Sequence, residues 1–154
     1  ADAYRMNFTG NHDSNSWHGS DTEFYGHVDC FKAMAVLAAT LPGMPLIYGG
    51  QESFFAKRLQ FFERDPIDWR GYPLADFYAE LLALKKRHAA LANGQHGGSL
   101  QWVDTGNDQV LAFERRQGSD AVRVVVNLGP QAQAWRGADK EGSLAAWSWT
   151  IQVV

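Results

Sequence analysis

The stretch Phe8-Thr9-Gly10-Asn11-His12-Asp13 decides how this chain is read. Before and into it, Tyr4, Met6 and Phe8 alternate with Arg5, Asn7 and Thr9, a period of two that predicts a short β-strand over Tyr4–Thr9. Gly10 ends the strand and leaves Asn11, His12 and Asp13 at its carboxyl end. In barrels of parallel strands that end is the active-site face, so an acidic residue there points to catalysis or ligand binding. His-Asp alone is a weak signal. An Asp capping the loop, with a His satisfied by backbone groups, would look the same.

Working outward, Ser14 to Gly26 is polar and turn-rich and is expected to be a loop. A helix is predicted over Val28–Thr40, where Phe31, Met34, Leu37, Ala38 and Leu41 recur at helical spacing. Its other faces are also mostly apolar, which implies cover on several sides, and Pro42-Gly43 stops it. Met44 to Tyr48 is a nearly continuous apolar run, as expected of a parallel strand buried on both faces. Gly49-Gly50-Gln51-Glu52 ends it, and a long excursion from Ser53 to Tyr72 carries Phe54, Phe55, Phe61, Phe62 and Trp69. Pro73 suits a first helical turn, and Phe77, Tyr78, Leu81, Leu82, Leu84 and Leu91 give an amphipathic helix. Lys85, Lys86 and Arg87 suit its carboxyl end, and Asn93-Gly94 closes it.

From Gly97 the pattern changes to alternation. Strands are expected near Leu100–Asp104, Val110–Arg116, Val122–Leu128, Gln131–Trp135 and Ala146–Val153. Thr105-Gly106-Asn107-Asp108, Gly118-Ser119-Asp120 and Gly129-Pro130 mark turns between them. Trp147, Trp149, Ile151 and Val153 alternate with Ser148, Thr150 and Gln152, as in an antiparallel strand with one buried face. Two regions follow, 1–97 and 98–154, with the boundary between Asn93 and Gly98.

Composition narrows the function classes. Hydrophobic residues make up 45% of the 154, enough for a packed core. Fourteen Lys and Arg against 17 Asp and Glu leave a net charge of −3 and no basic stripe, which argues against a nucleic-acid partner. The apolar run near Ala33–Leu41 is far short of a membrane span, so no membrane partner is expected. Cys30 is the single cysteine, so there is no disulfide framework, and cytoplasmic, periplasmic and secreted settings all stay open. Six Trp are the compositional excess. Aromatic faces serve sugar sites and sandwich cores alike.

The first region poses a physical problem. Two βα units make two neighbouring parallel strands, and a parallel sheet needs cover on both faces. A closed (β/α)8 barrel takes about 250 residues. Two units are therefore expected to be part of something larger, and here the residues support a family. Phe8 to Asp13 resembles the fourth sequence signature of the α-amylase family, glycoside hydrolase family 13. Leu41-Pro42-Gly43-Met44-Pro45-Leu46-Ile47-Tyr48-Gly49-Gly50-Gln51-Glu52 is similar to the family's last-strand signature, and Phe62-Glu63-Arg64-Asp65-Pro66-Ile67-Asp68-Trp69 to the stretch that often follows. The helix around Phe77–Leu84 and the β-rich tail with Val110–Arg115 and Val124–Leu128 match in order and spacing.

The resemblance implies an α/β plus all-β fold: residues 1–97 as the last two βα units of a TIM-type catalytic barrel, and 98–154 as the antiparallel β-sandwich called domain C. It implies a retaining enzyme acting on α-glucans or α-glucosyl oligosaccharides, whose nucleophilic Asp and acidic Glu follow the fourth and fifth barrel strands, upstream of Ala1. Asp13 then has a third catalytic role, stabilising the transition state. His12, Asn11, Trp17 and Tyr48 are the candidate substrate-binding residues, Asn11 by orienting the loop and Trp17 by stacking on a sugar face. Glu52 and Gln51 are expected to support the site from behind. Trp69 is expected to pack, and Trp102, Trp135, Trp147 and Trp149 mostly to be buried in the sandwich. No cofactor is expected in this chain, while a structural calcium ion elsewhere in the full enzyme stays open. The implied partners are the α-glucan substrate, the upstream barrel segment and, through exposed barrel edges, further copies of the chain.

Two other readings compete. One is a non-catalytic carbohydrate-binding or accessory protein that keeps the sugar contacts. The other is a metal-dependent phosphohydrolase using His12 and Asp13 as ligands, which predicts further His or Asp ligands at helix spacing that the sequence lacks. His12, His18, His27, Asp13, Asp21 and Cys30 could be drawn as a metal cluster, but no HxxxH or CxxC pair supports it. Asp104, Asn107 and Asp108 are more simply turn formers than calcium ligands. Retaining hydrolysis needs a nucleophile and an acid about 5–5.5 Å apart. Purified residues 1–154 alone should therefore release no reducing sugar from starch, and turnover by a preparation free of any upstream segment would contradict the resemblance.

Overall fold

The computed structural model describes Ala3, residues 5–137 and residues 139–154. Tyr4, at the start of the expected first strand, lies outside them. The first strand, β1, spans Met6–Phe8 and pairs in parallel with β2, Met44–Leu46, with Met6 opposite Met44 and Phe8 opposite Leu46. β2 is only half-buried, not buried on both faces as the apolar run suggests. The cause is the sheet's size: with two strands, one face meets helix α3 while Met6 and Phe8 project outward.

The expected loop after Asp13 contains two short helices, α1 (His12–Trp17) and α2 (Asp21–Tyr25). Neither has apolar periodicity, and both are made by their caps. Asn11 Oδ1 accepts from the Ser14 amide at 2.8 Å while Ser14 Oγ accepts from the Asn11 amide at 2.7 Å, a reciprocal box that closes the first turn of α1. Glu23 does the same service at α2 by accepting from the Ser20 amide at 2.8 Å, and Gly26, in the left-handed region, ends that helix.

Helix α3 covers Val28–Thr40, as the spacing predicts. Helix α4 runs from Ala75 to Arg87, starting two residues after Pro73 and ending before Leu91. It stops because His88 turns extended, with its Nδ1 2.8 Å from Asp120 Oδ1 and the Ala90 amide donating to Asp120 Oδ2 at 2.9 Å. Leu91 then sits in a 3-10 turn, Ala89–Leu91, fully buried. No described helix is long and apolar enough to cross a membrane.

The carboxyl-terminal region is antiparallel. Strands β3 (Ser99–Val103), β4 (Val110–Gln117), β5 (Asp120–Asn127) and β8 (Trp149–Val153) form one sheet in the order β3-β4-β5-β8. β6 (Gln133–Arg136) and β7 (Glu141–Leu144) form a two-stranded partner. β7 was not expected from the sequence. Glu-Gly-Ser-Leu has little strand propensity, but Gly142 lets the strand lie against Trp135, whose indole Nε1 would stand 3.2 Å from any Cβ there. Trp147 also departs from expectation: at φ 53° it belongs to the turn before β8, not to the strand, so the alternation holds only from Trp149.

One core joins the two regions. Ala33, Val36 and Ala39 of α3, Leu81 of α4 and Ala90 and Leu91 pack on Phe113, Val122, Val124 and Val126 of β4 and β5. The opposite face of the sheet meets the hairpin through Val110, Ala112, Val125, Trp135 and Leu144. Buried on both faces, β5 reads as a near-continuous Val run. Arg115, 1% exposed, ties the regions again: its guanidinium donates to the Thr40 carbonyl at 2.9 Å and the Gly98 carbonyl at 3.2 Å, satisfying the last turn of α3. Of the sandwich tryptophans, Trp135 is buried and Trp149 packs against the main core, but Trp102, edge-on to its cross-strand partner Phe113 at 5.8 Å, is 60% exposed because it stands on the edge strand β3.

Phe113→Ala should cost about 3–5 kcal/mol, because it empties the centre of the core that both regions share. Phe62→Ala, at a side chain 83% exposed, should stay within about 0.5 kcal/mol. Urea melts of the two variants check the contrast.

Candidate functional site

Thr9 and Gly10 carry the chain off the end of β1, and Asn11 caps α1, so His12 and Asp13 become that helix's first two residues. Both point to solvent, with side chains 71% and 58% exposed and His12 Nε2 3.6 Å from Asp13 Oδ1. The side-chain oxygen of Asn11 is already used by the Ser14 amide, so its part here is to set the turn. Trp17, 59% exposed, stands one helical turn beyond Asp13.

An unforeseen aromatic row completes this surface. Phe61, from the long excursion, stacks on the His12 ring at 5.9 Å and lies 5.6 Å from the Trp17 ring, with Phe62 edge-on at 4.9 Å. No periodicity could have shown that Phe61 crosses to α1. What brings it there is a zipper of polar contacts. Asn15 donates to the Lys57 carbonyl at 3.2 Å and accepts from the Leu59 amide at 2.8 Å, and Ser16 Oγ donates to the Leu59 carbonyl at 2.7 Å. Arg58 pairs with Glu23 at 2.9 Å, and Lys57 with Asp65.

The residues after β2 lie behind the turn. Gln51 is fully buried. Its Nε2 donates to Thr9 Oγ1 at 2.9 Å and reaches Asp21 Oδ1 at 3.4 Å, and its Oε1 accepts from the Tyr48 amide at 3.1 Å. The ends of β1 and β2 are thereby joined. Tyr25 donates to the Thr9 carbonyl at 2.6 Å. Tyr48 is half-buried, and burial together with nearby Asp21 raises its phenol above the ordinary value. Glu52 Oε2 accepts from the Gly50 amide at 3.0 Å, holding a bend in which Gly50 takes φ 104° and any Cβ would strike the Phe55 ring at 2.6 Å. Asp21, which the sequence offered only as a conceivable metal ligand, is buried without a cation among the described residues. That burial pushes its carboxyl up to about 6.

Among the described residues no three His, Cys, Asp or Glu side chains converge on a point where a metal ion could sit. His27 instead caps α3, accepting from the Asp29 amide at 3.1 Å. Trp69 lies near Tyr72, ring centres 5.9 Å apart, and remains half exposed.

No protein-family model matches the chain. It is 31% identical over 124 residues to α-1,4-glucan:maltose-1-phosphate maltosyltransferase 2 of Streptomyces coelicolor, a match covering 69% of this chain and 18% of that protein. It is 32% identical over 105 residues to the cyclomaltodextrin glucanotransferase of Klebsiella oxytoca, covering 61% and 15%. The fold superposes on an α-amylase from Lactobacillus plantarum with a TM-score of 0.75 at 17% identity, over 98% of this chain and 38% of that one. The chain belongs to the α-amylase family. Its architecture is that of the family's carboxyl-terminal part, the end of a (β/α)8 barrel followed by a β-sandwich. This α-amylase-family chain spans under a quarter of the length of the curated relatives it matches.

Asn15→Ala should unzip the excursion from α1, because it leaves a backbone amide and a carbonyl without partners at about 1–3 kcal/mol. Trypsin should then cut after Lys57, Arg58 or Arg64 at least fivefold faster, as timed proteolysis of wild type and variant would show.

Proposed function

We propose that this chain supplies the sugar-binding and transition-state-stabilising end of a retaining α-glucan-acting enzyme, with the nucleophile and general acid contributed by the upstream barrel segment. One observation carries the reading: a capped turn holds His12 and Asp13, exposed, at the carboxyl end of a parallel strand, beside a row of exposed aromatic rings. The relatives' names concern α-glucans, maltosyl transfer and cyclomaltodextrins, which supports this substrate class.

In this reading the Asp13 carboxylate accepts hydrogen bonds from two adjacent ring hydroxyls of the sugar whose bond breaks. As the ring flattens toward an oxocarbenium ion, those bonds tighten, so they lower the barrier more than they strengthen ground-state binding. His12 donates to the same ring. Phe61 and Trp17 offer apolar faces to neighbouring sugar units, with ring C–H groups against the aromatic surface. Asn11 sets the turn, while Gln51 and Glu52 hold it from behind. Hydrolysis and transfer use the same groups and differ in whether water or another glucan takes the glycosyl unit.

The unpaired outer edges of β1 and β2, with Met6, Phe8 and Ile47 exposed, fit the upstream barrel strands as partner. A chain deprived of that segment is expected to self-associate through the same edges. The aromatic row would also suit a non-catalytic carbohydrate-binding protein, and the kinetics of one variant separate the two. In the full-length enzyme, Asp13→Asn should lower kcat by about 10²–10³, equivalent to 3–4 kcal/mol of transition-state stabilisation, with KM little changed. A kcat within a few-fold of wild type would remove Asp13 from catalysis.

A further inference from the structure

We propose that the buried pair Asp21 and Gln51 is a positioning device: together they fix the direction in which the chain leaves β1, and so where the Asp13 carboxylate stands. The inference rests on the catalytic reading of Asp13.

The geometry is specific. Asp21, the first residue of α2, is 7% exposed and Gln51 fully buried, and both lie against Gly10. A Cβ on Gly10 would stand 3.0 Å from Asp21 Oδ1 and 3.2 Å from Gln51 Nε2. A side chain at Gly10 would press on both groups and require each to give by a few tenths of an ångström. Gln51 holds the preceding Thr9 hydroxyl and Tyr25 the Thr9 carbonyl, so the turn is gripped twice at Thr9, from side chain and main chain, before it reaches Asn11. The same Gln51 amide meets Asp21, which makes the carboxyl the back wall of the grip.

An acidic group in this place carries a consequence that a neutral one would not. The titratable groups facing it are the phenols of Tyr25, Tyr48 and Tyr78, with Glu52 near Tyr78 and the Cys30 thiol near Tyr25, and none is cationic. Glu23, two residues on, is turned instead to Ser20 and Arg58. Burial favours the neutral carboxyl, with a folded value of about 6 against 3.8 for the free group. The sign follows: the fold binds the extra proton between those values, so the grip is complete below about 4 and is lost as pH rises through about 6. Ionised Asp21 would draw water toward Gly10 and loosen the turn.

The test uses the full-length enzyme with wild type, Asp21→Asn, Asp21→Ala and Gln51→Ala. Asp21→Asn keeps the shape and the acceptor for Gln51 without the charge. The ratio of its kcat to that of wild type should stay near one at pH 5 and rise several-fold between pH 5.5 and 7.5. Asp21→Ala and Gln51→Ala should lower kcat about tenfold with KM within twofold, and the backbone of residues 9–17 should exchange hydrogen several-fold faster. A flat kcat ratio across that pH range, or alanine variants that shift the melting temperature alone, would overturn the proposal. If Asp21→Ala fails to fold, the Asp21→Asn ratio decides. If Asp13→Asn leaves kcat unchanged, the catalytic reading falls, and exchange of residues 9–17 with pH in wild type and Asp21→Asn decides whether the pair still sets the turn.

Discussion

The packing of α3 and the turn after α4 onto one face of the four-stranded sheet is the constraint on which the other parts depend. Two parallel strands of three residues each cannot hold themselves in register in water. They are held because α3 lies over them, and α3 is held because Ala33, Val36 and Ala39 are pressed on Phe113, Val122, Val124 and Val126. Small residues on the helix allow that close approach to a β-branched surface. The sandwich therefore acts as the bed on which the end of the barrel rests.

Two cations reinforce the seam by meeting carbonyl oxygens instead of carboxylates. Arg115 reaches the end of α3, and Lys85 donates to the Leu91 carbonyl at 2.6 Å. Both are desolvated, and burial lowers the Lys85 ammonium to about 8. His88 and Ala90 meet Asp120 on the other side of the same junction. The regions are thus joined by an apolar interior rimmed with directional bonds, which fixes the angle between them as well as their proximity.

Much of this was legible in the sequence wherever one periodicity ran unopposed. Helix α3 and strands β4 and β5 fall close to their expected bounds, because apolar spacing and burial agree there. The failures have physical causes. α1 and α2 are built by Asn11, Ser14, Ser20 and Glu23 reaching backbone amides, a signal of capping and not of periodicity. β7 exists because a partner strand and Trp135 make room for it. α4 ends where Asp120, more than thirty residues away, takes hold of His88 and Ala90. In the candidate site, Asp13, His12 and Trp17 stood out by their place after a strand. Phe61 and Asp21 did not, since their roles arise from contacts across 40 residues or more in one case and thirty in the other.

The way Asn15 and Ser16 hold the excursion has a bearing on how much change its surface tolerates. Both grip main-chain atoms of residues 57 and 59, groups that every amino acid carries. The path of the excursion past the turn that carries His12 and Asp13 is thus specified from α1, and the side chains at those positions are released from the task of keeping it there. Residues along this rim can therefore be exchanged without dislodging the loop.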